Sequence, residues 1–195
     1  GMKVLVTGAS GFLGGWIAQK LNERGVKVRA LVRKTSNRKH LQTLEHVELA
    51  EGTVEDLASV TAAVEGVTAV VHCAALVKAR NQGEYDRTNV EGTRNLVQAT
   101  RGKKLQRFVF VSSLEAAGPS KDGEPVSPEQ EEPITSYGRS KLAAEKVVLE
   151  AKHELPVTIL RPGAIYGPRD QEIFDLFLNI NRGLMPTIRD GVQRG

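Results

Sequence analysis

One stretch narrows the choice of fold further than any other: Val4-Leu5-Val6-Thr7-Gly8-Ala9-Ser10-Gly11-Phe12-Leu13-Gly14. An apolar run of strand length leads into three glycines, and a helical pattern follows over about 12–24, ending near Gly25. A strand apolar on both faces belongs inside a parallel sheet. A helix starting at its end presents backbone N–H groups and the positive end of its dipole, a setting that favours phosphate. Gly8 would allow a tight turn, Gly11 would let the backbone approach a pyrophosphate, and Gly14 would let the helix pack close to the strand. Thr7, Ser10, Phe12 and Leu13 join these glycines as candidate cofactor contacts. The spacing Gly-x-x-Gly-x-x-Gly is one residue longer than the common Gly-x-Gly-x-x-Gly, and a glycine-rich turn with no ligand is the plainer alternative.

The same alternation continues along the chain. Strand-like runs fall at about 3–7, 27–32, 46–50, 67–72, 106–112 and 156–161. Helical patterns lie near 12–24, 56–65, 88–101 and 136–153, with a short one around 37–44. Such an order predicts an α/β fold, a doubly wound parallel sheet with helices on both faces and ligands at the carboxyl ends of its strands. Residues 118–135, with Pro119, Pro125, Pro128 and Pro133 among many acids, read as a long loop of the kind that often forms lids or binding loops.

At 195 residues the chain fits one domain, taken as 1–195. A net charge of +4 with no long basic block argues against nucleic acid. No apolar run approaches the roughly 20 residues of a membrane span, and no secretory signal is visible. The single cysteine excludes an internal disulfide and fits a reducing cytoplasm. No Cys/His/Asp spacing suggests a metal site.

A second constellation carries chemistry. Tyr137 and Lys141 stand four residues apart, one helical turn, so phenol and ammonium share a face. A neighbouring cation favours the phenolate, which brings a tyrosine towards service as a general acid or base for a carbonyl or alcohol. Ser113 precedes them at the end of a strand-like run.

Taken together, Thr7-Gly8-x-x-Gly11-x-x-Gly14, His72-Cys73-Ala74-Ala75, Asn89-Val90-x-Gly92-Thr93, Ser113, Tyr137-x-x-x-Lys141 and Arg161-Pro162-Gly163-x-x-Tyr166-Gly167-Pro168 resemble the extended short-chain dehydrogenase/reductase superfamily, the NAD-dependent epimerase/dehydratase family. The resemblance covers nearly the whole chain and implies a Rossmann-like fold. It implies that Tyr137 is the catalytic acid/base, that Lys141 lowers its pKa and binds the nicotinamide ribose, and that Ser113 hydrogen-bonds the substrate oxygen. Ser112 reads as a satisfied strand-end hydroxyl. Cys73, Ala74, Ala75, Asn89, Pro162 and Gly163 are implied to lie along the cofactor, as is His72, while Arg161 and Tyr166 would shape the nicotinamide or substrate pocket. Asp56, with Leu57 beside it, matches a family position against the adenine amino group; it is equally placed to cap the following helix.

NAD enzymes usually carry an acid at the end of the second strand, whereas a cation accommodates the 2′-phosphate of NADP. This chain has Arg33 there, followed by Lys34, Ser36 and Arg38, with no acid close in sequence. NADP is therefore the expected cofactor, through Arg33 and Arg38, with NAD as the alternative. Leu114-Glu115-Ala116-Ala117-Gly118 lacks the Val-Tyr-Gly of many sugar-nucleotide epimerases and resembles the 3β-hydroxysteroid dehydrogenase and dihydroflavonol reductase branch. Hydride transfer between NADP(H) and a carbonyl or secondary alcohol is the leading expectation. A nucleotide-sugar epimerase or dehydratase with bound NAD is the alternative, and a non-catalytic dinucleotide sensor is a third reading. The expected partner is a small-molecule substrate, and the family also allows a homodimer. Extended members carry roughly 100 or more further residues. The expectation is that a substrate-binding region is missing beyond Gly195 and that this chain binds dinucleotide but turns over poorly.

Overall fold

The protein is described by a computed structural model, which covers residues 1–118 and 131–161. Among the described residues six strands form one parallel sheet: β1 (Lys3–Thr7), β2 (Lys27–Val32), β3 (Val47–Glu51), β4 (Ala69–His72), β5 (Arg107–Val111) and β6 (Val157–Leu160). Their order is β3-β2-β1-β4-β5-β6, so the connection reverses direction between β1 and β4. That reversal opens a crevice at the carboxyl ends of those two strands, where α/β sheets bind ligands.

Alternation along each strand feeds two cores. Val4 and Val6 of β1 pack with Ile17, Ala18 and Leu21 of α1 (Phe12–Glu23) and Leu41 of α2 (Lys39–Gln42). Leu5 points the other way, into a cluster with Val60 of α3 (Leu57–Ala63), Leu96 of α5 (Gly92–Thr100) and Val148 of α6 (Ser136–Glu150). Both faces of β1 are thereby sealed, which is why its sequence reads as an uninterrupted apolar run. The edge strand β3 is less buried, and its Glu48 pairs with Lys3 and Arg29.

The predicted doubly wound fold stands, with one local difference. The helical pattern near 88–101 is three pieces: α4 (Gln82–Asp86), a π-turn (Arg87–Glu91) and α5. Asn81 caps α4 by accepting from Glu84 N–H at 3.0 Å, so helix begins earlier than the apolar periodicity indicates. The widened turn contains Asn89, and insertions of this kind recur at functional sites. At Gly118 (φ +76°) a Cβ would come within 2.1 Å of the Glu132 carbonyl oxygen, so the backbone at 118 and at 132 is in contact. Among the described residues no helix is long and apolar enough to cross a membrane.

Candidate active site

A cleft of about 490 Å³ lies over the crevice between β1 and β4. One end is walled by Gly8, Ser10, Gly11, Phe12, Leu13 and Gly14, with Arg33 and Ser36; the other end is walled by Tyr137 and Lys141. Cys73, Ala74 and Ala75 run along it. The structure thus brings the two sequence motifs, well over a hundred residues apart, to one hollow.

The glycine turn is shaped by contact. Gly8 has φ +67°, and a Cβ there would lie 2.7 Å from Ala74 N. A Cβ on Gly14 would lie 2.1 Å from Gly8 O, so α1 closes onto the turn itself as well as approaching the strand. No side chain caps α1 and its first turn holds no acid. A helix start of this kind, at the mouth of a cleft, suits an anion.

Thr7 stands behind this wall, fully buried. Its hydroxyl accepts from Cys73 N–H at 3.0 Å and Ala74 N–H at 3.1 Å, which occupies both lone pairs. Its proton therefore goes to His72 Nδ1, 2.6 Å away. That leaves the His72 proton on Nε2, which donates to Thr93 Oγ1 at 2.9 Å, and Thr93 in turn donates to Asn89 O at 2.7 Å. Burial, reinforced by the Lys141 charge, pushes His72 down to about 3, so it is a neutral strut and not an acid/base. Asn89 is also behind the wall: its side chain accepts from Leu76 N–H at 2.7 Å and donates to Leu76 O at 3.1 Å. Thr7 and Asn89 therefore pin the irregular wall from 73 to 76 without lining the cleft themselves.

Lys141 is buried, with Nζ donating to Val111 O at 3.0 Å and lying 4.4 Å from the Phe110 ring centre. Burial lowers its pKa to about 8, against the opposing pull of Cys73 and Glu145. Burial also pushes the Cys73 thiol up to about 12, which removes it as a nucleophile at neutral pH. Tyr137 packs edge-on to Tyr85 at 6.2 Å between ring centres. It also borders a second hollow of about 440 Å³, shared with Val77, Tyr85, Glu115 and Ser136.

Several expected ligands take other places. Asp56 caps α3, accepting from Ala58 N–H at 3.2 Å and from the Ser59 hydroxyl at 2.9 Å, and neither it nor Leu57 lines the cleft; Thr53 and Val54 do. Arg38 is held by Glu51 at 2.7 Å and donates to Arg33 O at 3.1 Å, so it braces the 33–36 turn. Arg33 does line the cleft, half exposed, with Nη2 at 4.0 Å from Glu55 Oε2; the acid lacking nearby in sequence is supplied from beyond β3. Ser112 lines the cleft, whereas the Ser113 hydroxyl accepts from Glu115 N–H at 3.1 Å and caps a 3₁₀ turn over Leu114–Ala116. Arg161 is fully buried against Glu145 and Glu131 and does not shape the cleft. Pro162, Gly163 and Tyr166 lie outside the described residues.

With this geometry in place, the likenesses to known proteins are informative. Residues 4–190 match the NAD dependent epimerase/dehydratase family, and the chain belongs to it. It is 42% identical over 177 residues to sterol demethylase protein B of Methylococcus capsulatus, covering 87% of this chain and 53% of that protein. It is 34% identical over 174 residues to ceramide reductase of Caulobacter vibrioides, covering 89% and 50%. Among solved structures, the Bordetella bronchiseptica enzyme WbmG, in complex with NAD, aligns with a TM-score of 0.76 at 27% identity, covering 95% of this chain and 61% of that one. The chain spans about half the length of the curated relatives it matches.

Proposed function

We propose that this chain forms the cofactor-binding half of an oxidoreductase that moves a hydride between NADP(H) and a carbonyl or secondary alcohol. The observation that carries this reading is a cleft that joins the glycine turn to Tyr137 and Lys141. The residues present fit a dinucleotide: an uncapped helix start at one end, Arg33 and Ser36 in the lining, and a volume within the 300–1,000 Å³ usual for ligand sites. The bound cofactor supplies the hydride. Residues 8–14 would hold the pyrophosphate, and Arg33 the 2′-phosphate of NADP. Tyr137 would pass its phenolic proton to the carbonyl oxygen as the hydride arrives at carbon, leaving an alcohol; in the oxidative direction it takes that proton back. The buried Lys141 ammonium favours the phenolate left behind; the Ser113 hydroxyl, outside the cleft lining and accepting from Glu115 N–H, keeps its own proton and would have to turn towards Tyr137 to donate to the substrate oxygen.

A second reading, a nucleotide-sugar epimerase or dehydratase using NAD, is favoured by one feature: Glu55 beside Arg33 offers a carboxylate where a ribose 2′-hydroxyl would need an acceptor. A solved structure of WbmG with NAD and UDP adds weight to it.

Equilibrium titration with NADPH and NADH at one salt concentration tests the choice. The expected result is NADPH binding at least about tenfold tighter, falling to parity in Arg33→Ala. NADH preference moves the assignment to the second reading, and binding of neither sinks both. Tyr137→Phe is expected to keep NADPH binding and to abolish the slow NADPH oxidation by carbonyl compounds expected of the parent chain. Equal, measurable oxidation by parent and variant would remove Tyr137 from the chemistry.

A further inference from the structure

The buried charges that this chemistry leaves unused, Glu145, Arg161 and Glu131, gather against the face of α6 that carries Tyr137 and Lys141. Tyr137, Lys141 and Glu145 follow one another at four-residue steps and so share that face. Lys141 Nζ donates to Val111 O at 3.0 Å; one turn further, Glu145 Oε2 accepts from the Ser112 hydroxyl at 2.6 Å. Successive turns of the helix therefore grip consecutive residues at the end of β5, and the next residue is Ser113. Glu145 is itself held from beyond β6 by Arg161, with Nε to Oε2 at 2.7 Å and Nη2 to Oε1 at 2.8 Å. Arg161 Nη1 lies 2.9 Å from Glu131 Oε1, on the segment that leads into α6. The side chains of Arg161 and Glu145 are fully buried, and that of Glu131 nearly so.

Charges this deep persist only where each is paired, because desolvation otherwise outweighs attraction. Two carboxylates against one guanidinium leave one negative charge, and Lys141 supplies the matching positive one. We propose that Glu145 is a positioning residue for Ser113, Tyr137 and Lys141: it fixes the register of α6 against β5 through Ser112 and Arg161, and it supplies the counter-charge that keeps Lys141 protonated. The proposal rests on the reading of Tyr137 and Lys141 as the working pair. The other titratable groups facing Lys141 are Tyr137 on its own helix and His72 and Cys73 from the end of β4. His72 is neutral and Cys73 a protonated thiol at pH 7, so neither offers a negative charge.

The test follows the Lys141 ε-carbon by NMR in ¹³C-lysine-labelled protein from pH 5 to 11, assigned with Lys141→Arg. Glu145→Gln keeps the side chain's size and its ability to accept from Ser112. Its Lys141 midpoint is expected to fall by about one pH unit, a tenfold change in proton affinity, with Glu145→Asp between the two. A folded Glu145→Gln protein with an unmoved midpoint overturns the proposal. Should that variant not fold, Glu145→Asp decides, and a midpoint equal to the parent's overturns it as well. NADPH titrated into the parent keeps the two readings apart. Binding with an unmoved Lys141 sinks only the role of Glu145, whereas a shifted Lys141 without NADPH binding sinks only the cofactor assignment.

Discussion

The two helices that frame the cleft begin in opposite ways. At α1 the cap position is Gly11, with no side chain to accept from the first turn and no nearby acid. At α6 Thr135 accepts from Gly138 N–H at 2.8 Å, and Glu115 accepts from the Thr135 hydroxyl at 2.9 Å, so the helix start is finished by protein groups. The difference separates two ways of building a site. On the proposed reading, the end for an anion is left for the ligand to complete, whereas the end that carries Tyr137 and Lys141 is completed in advance. Thr135 also stands two residues before Tyr137, so the cap and the proposed acid/base are set by one turn of backbone.

Substitutions at the two ends should respond accordingly. The largest effect is expected at Gly14→Ala, whose Cβ has no room against Gly8 O. A loss of about 3 kcal/mol in stability and of NADPH binding should appear in denaturant melts and titrations. Next comes a pH effect common to the ground between the helices. His72 is lowered to about 3 and Lys141 to about 8, so between pH 3 and 6.5, and again between 8 and 10.5, the unfolded chain binds more protons than the folded one. Stability should therefore rise with pH across both windows, by at most about 1.4 kcal/mol per pH unit for each group. In His72→Asn the lower rise should flatten; a slope that persists would relocate the effect to other groups. Gly11→Asp, giving α1 the cap it lacks, should steady the free protein while weakening NADPH binding about tenfold through charge repulsion. Tighter binding would mean that this helix end does not meet phosphate. Thr135→Ala should cost about 1 kcal/mol in melting experiments and leave NADPH affinity within a few-fold of the parent.

What could be read from the sequence follows the same division. The glycine turn and α1 were legible because strand, glycines and helix are contiguous, and the expected helix over 12–24 is observed as Phe12–Glu23. Tyr137 and Lys141 were legible because one helical turn separates them. Relations that cross the sheet were not. Asp56 stands where either an adenine contact or a cap was open, and only its position ahead of Ala58 N–H and Ser59 resolves the side chain's present partners. Glu145 carried a signal, being four residues past Lys141, but its meaning depends on Ser112 and Arg161, which arrive from other strands. His72 likewise takes its tautomer from Thr7, 65 residues away in sequence.

The contact between Gly118 and Glu132 bears on how this fold can change over time. Because the backbone meets at that point, the reach that any intervening segment must span is already set, and its length is uncoupled from the spacing of Ser113 and Tyr137. Closing a longer segment across a fixed gap costs little, about 0.6 kcal/mol for each doubling. Change between these two residues is bounded by Glu131, whose nearly buried carboxylate meets Arg161 Nη1 at 2.9 Å, so a lineage that tries new neighbours for Tyr137 here must keep that partner while the placement of Ser113 and Tyr137 is inherited intact.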